Sequence, residues 1–275
     1  MLFKEGWAAS IQLCSGPDVE KNLGNAARWM TLAVERGARL LVLPENFSFL
    51  GRHEAEKRQH REDPETGASV LFLREFAARH RVWIVGGSIP FYLEGEDRIA
   101  NGCLLVGEDG RIVARYDKIH LFDVRLGEGE TFQESDFVRP GNQVVVADTP
   151  FGRLGLTICY DLRFPELYRQ LSAQEATILT VVAAFIPSTG KDHWEVLLRA
   201  RAVENFSYVL ASGQWGRHPG GRQSYGRSLI VEPWGVVTAC CADAEGFALA
   251  SLDPQRIHDC RSRIPALSHR VLSER

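Results

Sequence analysis

The segment that most limits what this chain can fold into is RLGLTICYDLRFPELYR, residues 153–169. Leu154, Leu156 and Ile158 alternate as on a buried strand, Cys159 ends the run, and Pro165 stands where a helix can open. The segment predicts a strand, a sharp turn and a helix, with a thiol at the turn. A thiol there meets backbone N–H groups free to donate, and a helix N-terminus favours the thiolate. The same donors can hold a developing oxyanion. A cysteine ending a strand is also a common small core residue, so this segment alone leaves both roles open.

Two further segments share that grammar. Residues 39–47, RLLVLPENF, give an apolar strand, a proline that stops it, and Glu45 beside Asn46. Residues 111–123, RIVARYDKIHLFD, alternate Ile112, Ala114 and Tyr116 and then present Lys118. Carboxylate, amine and thiol each follow the carboxyl end of a separate strand, where α/β sheets place their active sites.

Together these segments resemble the nitrilase superfamily of carbon–nitrogen hydrolases, and within it the Nit branch of amidases acting on deaminated glutathione and 2-oxo-acid amides. LPENF carries the glutamate, YDKIHLFD the lysine and GLTICYDLRFPELYR the cysteine, and the match continues through HWEVLLRARAVEN and YGRSLIVEPWG. The resemblance implies a catalytic set of Glu45, Lys118 and Cys159, with Glu134 in the FQES run as a second active-site glutamate. It also implies a four-layer αββα sandwich and a homodimer joined through helix layers. Candidate dimer surfaces are the helix after Cys159, with Leu167, Tyr168 and Leu171, and the helix over 192–205. Core packing explains those apolar positions equally well.

The chemistry needs these residue types. An amide is a poor electrophile with a poor leaving group, so hydrolysis is easier in two steps through a thioester. Cys159 is the expected nucleophile, Glu45 the proton carrier, and Lys118 with the Tyr160 N–H the oxyanion donors. A carboxylate-bearing substrate needs a cation, for which Arg163 stands four residues past the cysteine; Arg125, Lys191 and Arg217 are further candidates. Phe185, with Phe47, Phe122 and Phe164, offers an apolar wall or core packing. The expected substrate is a small amide such as deaminated glutathione; 2-oxoglutaramate, a true nitrile, or no substrate at all on a binding module are the alternatives. Arg227 and Phe206 depart from the usual Nit pattern and bear on the pocket edge or dimer face.

A papain-type pairing of Cys159 with His120 or His193 is the competing arrangement, but the local signature C-G-[SA]-C-[WY] is absent. No C-x-x-C, H-E-x-x-H or phosphate-loop motif occurs and the eight histidines are scattered, so neither metal nor cofactor is expected. Gly86-Gly87 reads as a strand end that lets backbones approach, and WGRHPGGRQ (215–223) as either a substrate rim or a solvated turn.

At 275 residues, 45% hydrophobic and 24% charged, the chain suits one domain over 1–275 with a sizeable core. A net charge of −3 gives no reason to expect nucleic acid or an anionic membrane as partner. No apolar run approaches a membrane span, MLFKEGWAAS lacks a signal-peptide core, and six irregularly spaced cysteines suit a reducing cytoplasm. The rest of the chain reads as strands interleaved with four helices. Asp18 is expected to cap the first helix, Gly37 to end it, and hairpins to turn at residues 108–110 and 233–235.

Overall fold

The computed structural model of the protein describes residues 3–126 and 130–272. In chain order the strands are β1 (Gly6–Gln12), β2 (Ala38–Val42), β3 (Trp83–Val85), β4 (Ile89–Phe91), β5 (Ala100–Val106) and β6 (Ile112–Asp117). There follow β7 (Asp123–Leu126), β8 (Glu130–Gln133), β9 (Val146–Thr149), β10 (Gly152–Ile158), β11 (Ile178–Ala183) and β12 (Tyr208–Gly213). The last are β13 (Trp215–Arg217), β14 (Gln223–Tyr225), β15 (Leu229–Val231), β16 (Val237–Cys240) and β17 (Gly246–Leu252). Helices are α1 (Val19–Glu35), α2 (Ala68–His80), α3 (Pro165–Ala173), α4 (Pro187–Asn205) and α5 (Pro254–Arg263).

One sheet runs β17-β1-β2-β3-β5, with β3 and β4 lying end to end along one edge of β5 and β6 along the other. The other runs β16-β15-β12-β11-β10-β9, its three central strands parallel. Side-chain alternation assigns the layers. Ala8, Leu40, Val42 and Val85 enter the core shared with the second sheet, while Ala9, Leu41, Leu43 and Ile84 pack with Ala26, Met30, Leu73 and Ala77 of α1 and α2. On the second sheet Gly155 and Thr157 face α3: a Cβ on Gly155 would lie 3.0 Å from Leu171, and Thr157 shares a 2.8 Å hydrogen bond with the Tyr168 hydroxyl. Helices thus cover both outer faces of two stacked sheets, the αββα sandwich. Polar ties run between the sheets at β1 and β12–β15: Ser212 Oγ donates to the Ile11 carbonyl, and the Ser228 N–H to Gln12 Oε1 at 2.8 Å.

Local chemistry explains most boundaries. Asp18 caps α1 by accepting the Lys21 N–H at 3.0 Å, and Gly37 follows with φ +99°. Helix α4 starts at Pro187, a turn before the expected Asp192, because proline is well suited to the first helical position. Five α-helices stand among the described residues where four are expected; α5 is the addition, with Asp253 accepting the Gln255 N–H. The hairpin turn after β5 closes from Gly110 N–H to the Gly107 carbonyl. One reading left open is decided: Leu167, Tyr168 and Leu171 are core, not surface, because α3 lies flat on its sheet. On α4, by contrast, Val196 and Val203 are exposed.

Candidate active site

Three strand ends converge. After β2, Leu43 still pairs with Val85, Pro44 breaks the strand, and Glu45 precedes Asn46 at φ +57°. Close packing fixes this turn. The Asn46 N–H donates to Ser88 Oγ at 2.9 Å, and Gln214 Nε2 donates to the Glu45 carbonyl at 3.0 Å. Gly87 is required there: its φ is +57°, and a Cβ would come within 2.2 Å of the Pro44 carbonyl. After β6, the Lys118 N–H bonds the Asn101 carbonyl and its own carbonyl accepts from Gly141. Glu134 begins the short turn that follows β8.

The ammonium of Lys118 sits in a cage of carboxylates. Its Nζ lies 3.1 Å from Glu45 Oε1 and 3.1 and 2.9 Å from the two oxygens of Glu134. Asn101 Nδ2 donates to Glu45 at 3.0 Å and reaches Glu134 at 3.4 Å, and the Phe122 N–H closes Glu134 Oε2 at 2.7 Å. All three charged side chains are buried. Burial works against the charge of Lys118, yet Glu134 and Glu45 raise its pKa well above the ordinary lysine value. Burial likewise opposes ionisation of Glu45, but Lys118, then Lys57, hold it below the usual carboxylate range.

Cys159 is built differently. It follows β10 with φ +52°, a conformation that costs a non-glycine residue about 1–3 kcal/mol and persists only where its surroundings enforce it. Asp161, fully buried, does the enforcing. Its Oδ2 accepts the Ile158 N–H at 2.8 Å and the Tyr116 hydroxyl at 2.7 Å; its Oδ1 accepts the His120 N–H at 3.0 Å. The thiol faces Glu45 and Lys118 closely enough for each to act on the others' ionisation. Burial pushes the thiol pKa up, Glu45 adds to the rise, and Lys118 opposes it. The resting pair is therefore a thiol facing a carboxylate.

A cavity of about 270 Å³ opens onto these groups, and Tyr160, Arg163 and Phe185 line it. The Arg163 guanidinium stands 5.5 Å from the Phe185 ring centroid and 5.9 Å from that of Tyr160. Phe122 also lines the cavity; Phe47 is core. Arg125, Lys191 and Arg217 are exposed and lie outside the lining. His120 is turned away from the sulfur: its Nδ1 is 2.8 Å from Asp161 and its ring stacks on Phe164. His193 Nδ1 meets Arg163 instead. Asn101, Asp161, Lys57, Glu54 and Arg222 belong to the site but were not singled out by sequence. Asp161 had a signal, two residues past the thiol; Arg222 had one in the glycine pair before it. Asn101 and Lys57 had none, since only long-range packing brings them in.

The Carbon-nitrogen hydrolase family profile matches residues 7–262, and the chain belongs to that family, part of the nitrilase superfamily. The deaminated glutathione amidase of Synechocystis sp. PCC 6803 is 45% identical over 267 residues, covering 96% of this chain and 97% of that one. The Caenorhabditis elegans NitFhit protein superposes with a TM-score of 0.92 at 36% identity; the match covers 98% of this chain and 66% of that longer one. An amidase from Nesterenkonia sp. AN1, solved as a mutant showing Michael addition of acrylamide at its active-site cysteine, superposes at 0.79 with 27% identity over 95% of this chain and 98% of that one.

Proposed function

We propose that this chain is an amidase that hydrolyses a small carboxylate-bearing amide, with deaminated glutathione as the best match, through a thioester on Cys159. The sulfur attacks the amide carbon and its proton passes to Glu45. Lys118 and the Tyr160 N–H stabilise the oxyanion. Glu45 returns the proton to the departing amine, then deprotonates the water that releases the acid. Glu134 holds Lys118 in place and keeps it charged. Arg163 receives the carboxylate of the acyl half, and Phe185 gives that half an apolar wall. No metal or cofactor enters these steps.

The observation that carries the reading is the Lys118 ammonium within 3.1 Å of both carboxylates and beside the sulfur. Amidase relatives support the choice of bond. The enzyme works as one catalytic domain, and two copies pair through the exposed apolar patch of Val196, Val203, Trp234 and Val236. Six free thiols suit a reducing, cytoplasmic setting. Among the described residues no helix is long and apolar enough to cross a membrane.

The test is amine or ammonia release from deaminated glutathione, 2-oxoglutaramate, simple amides and nitriles, with Cys159→Ala as blank. Deaminated glutathione is expected to give the highest kcat/KM. Turnover of nitriles alone, or an active Cys159→Ala, would overturn the proposal. Sedimentation equilibrium is expected to give a dimer.

A further inference from the structure

The cavity holds a second charged cluster that the proposed chemistry does not use. Lys57, 4% exposed, lies with its Nζ 2.6 Å from Glu54, and Arg222 Nη1 bonds the other oxygen of the same carboxylate. Two cations share one anion. The loop carrying Arg222 is fixed in place: Gly220 at φ +79° packs on the Arg52 backbone, where a Cβ would come within 2.5 Å of the carbonyl oxygen. Buried His218 ties the same loop to the Ser15 carbonyl and to Ser224 Oγ, each at 2.9 Å. The WGRHPGGRQ run thus supplies Arg222 to the cavity wall.

Charge bookkeeping around the cavity is informative. Glu45, Lys118 and Glu134 carry one net negative charge, whereas the remaining charged liners carry two net positive charges. One is Arg163, over Tyr160 and Phe185; the other is shared by Lys57 and Arg222 across Glu54. A cavity walled this way favours a ligand with two separated anionic ends. Direction follows from Glu45. The loop that carries Arg222 leaves from Gln214, whose side-chain amide donates to the Glu45 carbonyl at 3.0 Å, whereas Arg163 sits over Tyr160 and Phe185. Glu45 is the group that must meet the departing amine, so the Lys57–Arg222 end faces the leaving half.

We propose that Lys57 and Arg222 form the subsite that receives a carboxylate on the amine half of the substrate, and that these two residues set the preference for that half. This rests on the amidase reading and deepens it. Bond cleavage is unchanged; the subsite acts on binding.

The experiment pairs two substrates with the same 2-oxo-acyl half and the same dipeptide leaving group, one ending in carboxylate and one in carboxamide. For the wild type, kcat/KM is expected to be roughly tenfold or more higher with the carboxylate, mostly through KM. In Arg222→Gln and Lys57→Met that ratio is expected to collapse towards unity, and in Arg222→Lys to recover in part. A cluster serving only to hold the fold or to charge Glu45 would lower both substrates equally and keep the ratio; that result overturns the subsite, as does a wild type that does not distinguish the pair. If the wild type cleaves no amide at all, the amidase reading itself fails and the subsite falls with it.

Discussion

The thiol and the ammonium lie side by side, but they are held by unlike means. Cys159 is placed by backbone: a strand end, a positive φ, and Asp161 gripping the N–H groups and hydroxyl around it. Lys118 is placed by charge, between two carboxylates and one amide side chain. The first arrangement fixes direction and tolerates a neutral neighbour. The second fixes protonation, and loses its meaning if any member changes charge. The two come from different sheets, and Asp161 ties them together, holding the Ile158 N–H next to the thiol and the Tyr116 hydroxyl and His120 N–H on either side of Lys118.

The largest effect is expected in the cage. On the proposed mechanism, Lys118→Met is expected to lower kcat by ~10³-fold, since that mechanism makes Lys118 the main oxyanion donor. It also leaves two buried carboxylates facing each other, and unfolding in urea is expected to show a loss of about 3 kcal/mol. A variant that kept both turnover and stability would show that the cage is not the electrostatic centre.

Next comes the elbow. Asp161→Asn keeps the shape but replaces one acceptor oxygen with a donor facing N–H or hydroxyl groups. A loss of about 2 kcal/mol in stability is expected, with kcat down ~10²-fold as the sulfur is misaimed. The pH profile is expected to keep its shape, because no proton carrier is removed; a shifted acid limb would move Asp161 into the charge system.

Smaller is Arg163→Met, expected to raise KM about tenfold for carboxylate-bearing amides with little change in kcat. Equal loss for uncharged amides would make Arg163 structural, tied to His193 and the aromatic rings.

The pH dependence separates the regions most finely. Glu45 has a folded pKa below its unfolded value. Its contribution to stability is therefore present above the ordinary carboxylate pKa of about 4.3 and lost as pH falls through the lower folded value. Lys118 is raised, so its contribution is present below the ordinary lysine pKa of about 10.4 and lost as pH rises through the higher folded value. The acid limb of kcat/KM is expected below the usual glutamate range. Alkylation of Cys159 by iodoacetamide is expected to stay slow near neutral pH, since the resting sulfur is protonated. Fast alkylation with an acid limb above pH 6 would mean a thiolate held in advance.

What the sequence revealed follows the same division. The three strand ends were legible because Leu-Val-Leu-Pro-Glu, Tyr-Asp-Lys and Leu-Thr-Ile-Cys each mark a strand stopping at a reactive side chain. The layer order was legible only through family resemblance, since alternation alone does not say which sheets stack. Asn101 sits at the start of β5 and meets Glu45 across 56 residues, a contact no local pattern announces. The sequence of α3 fits core and surface equally, because what lies on either side of a helix is invisible along its own residues. Lys57 lies in a charged stretch that reads as solvated until a short 3-10 turn over Glu54–Arg58 buries it beside Glu54.

The most direct measurement is rapid-quench intact-mass spectrometry of the enzyme mixed with a 2-oxo-acid amide, followed by peptide mapping. A transient gain equal to the acyl half, mapped to Cys159 and absent from Cys159→Ala, is expected. Steady turnover with no acyl group on Cys159, or an adduct mapped to another side chain, would contradict it.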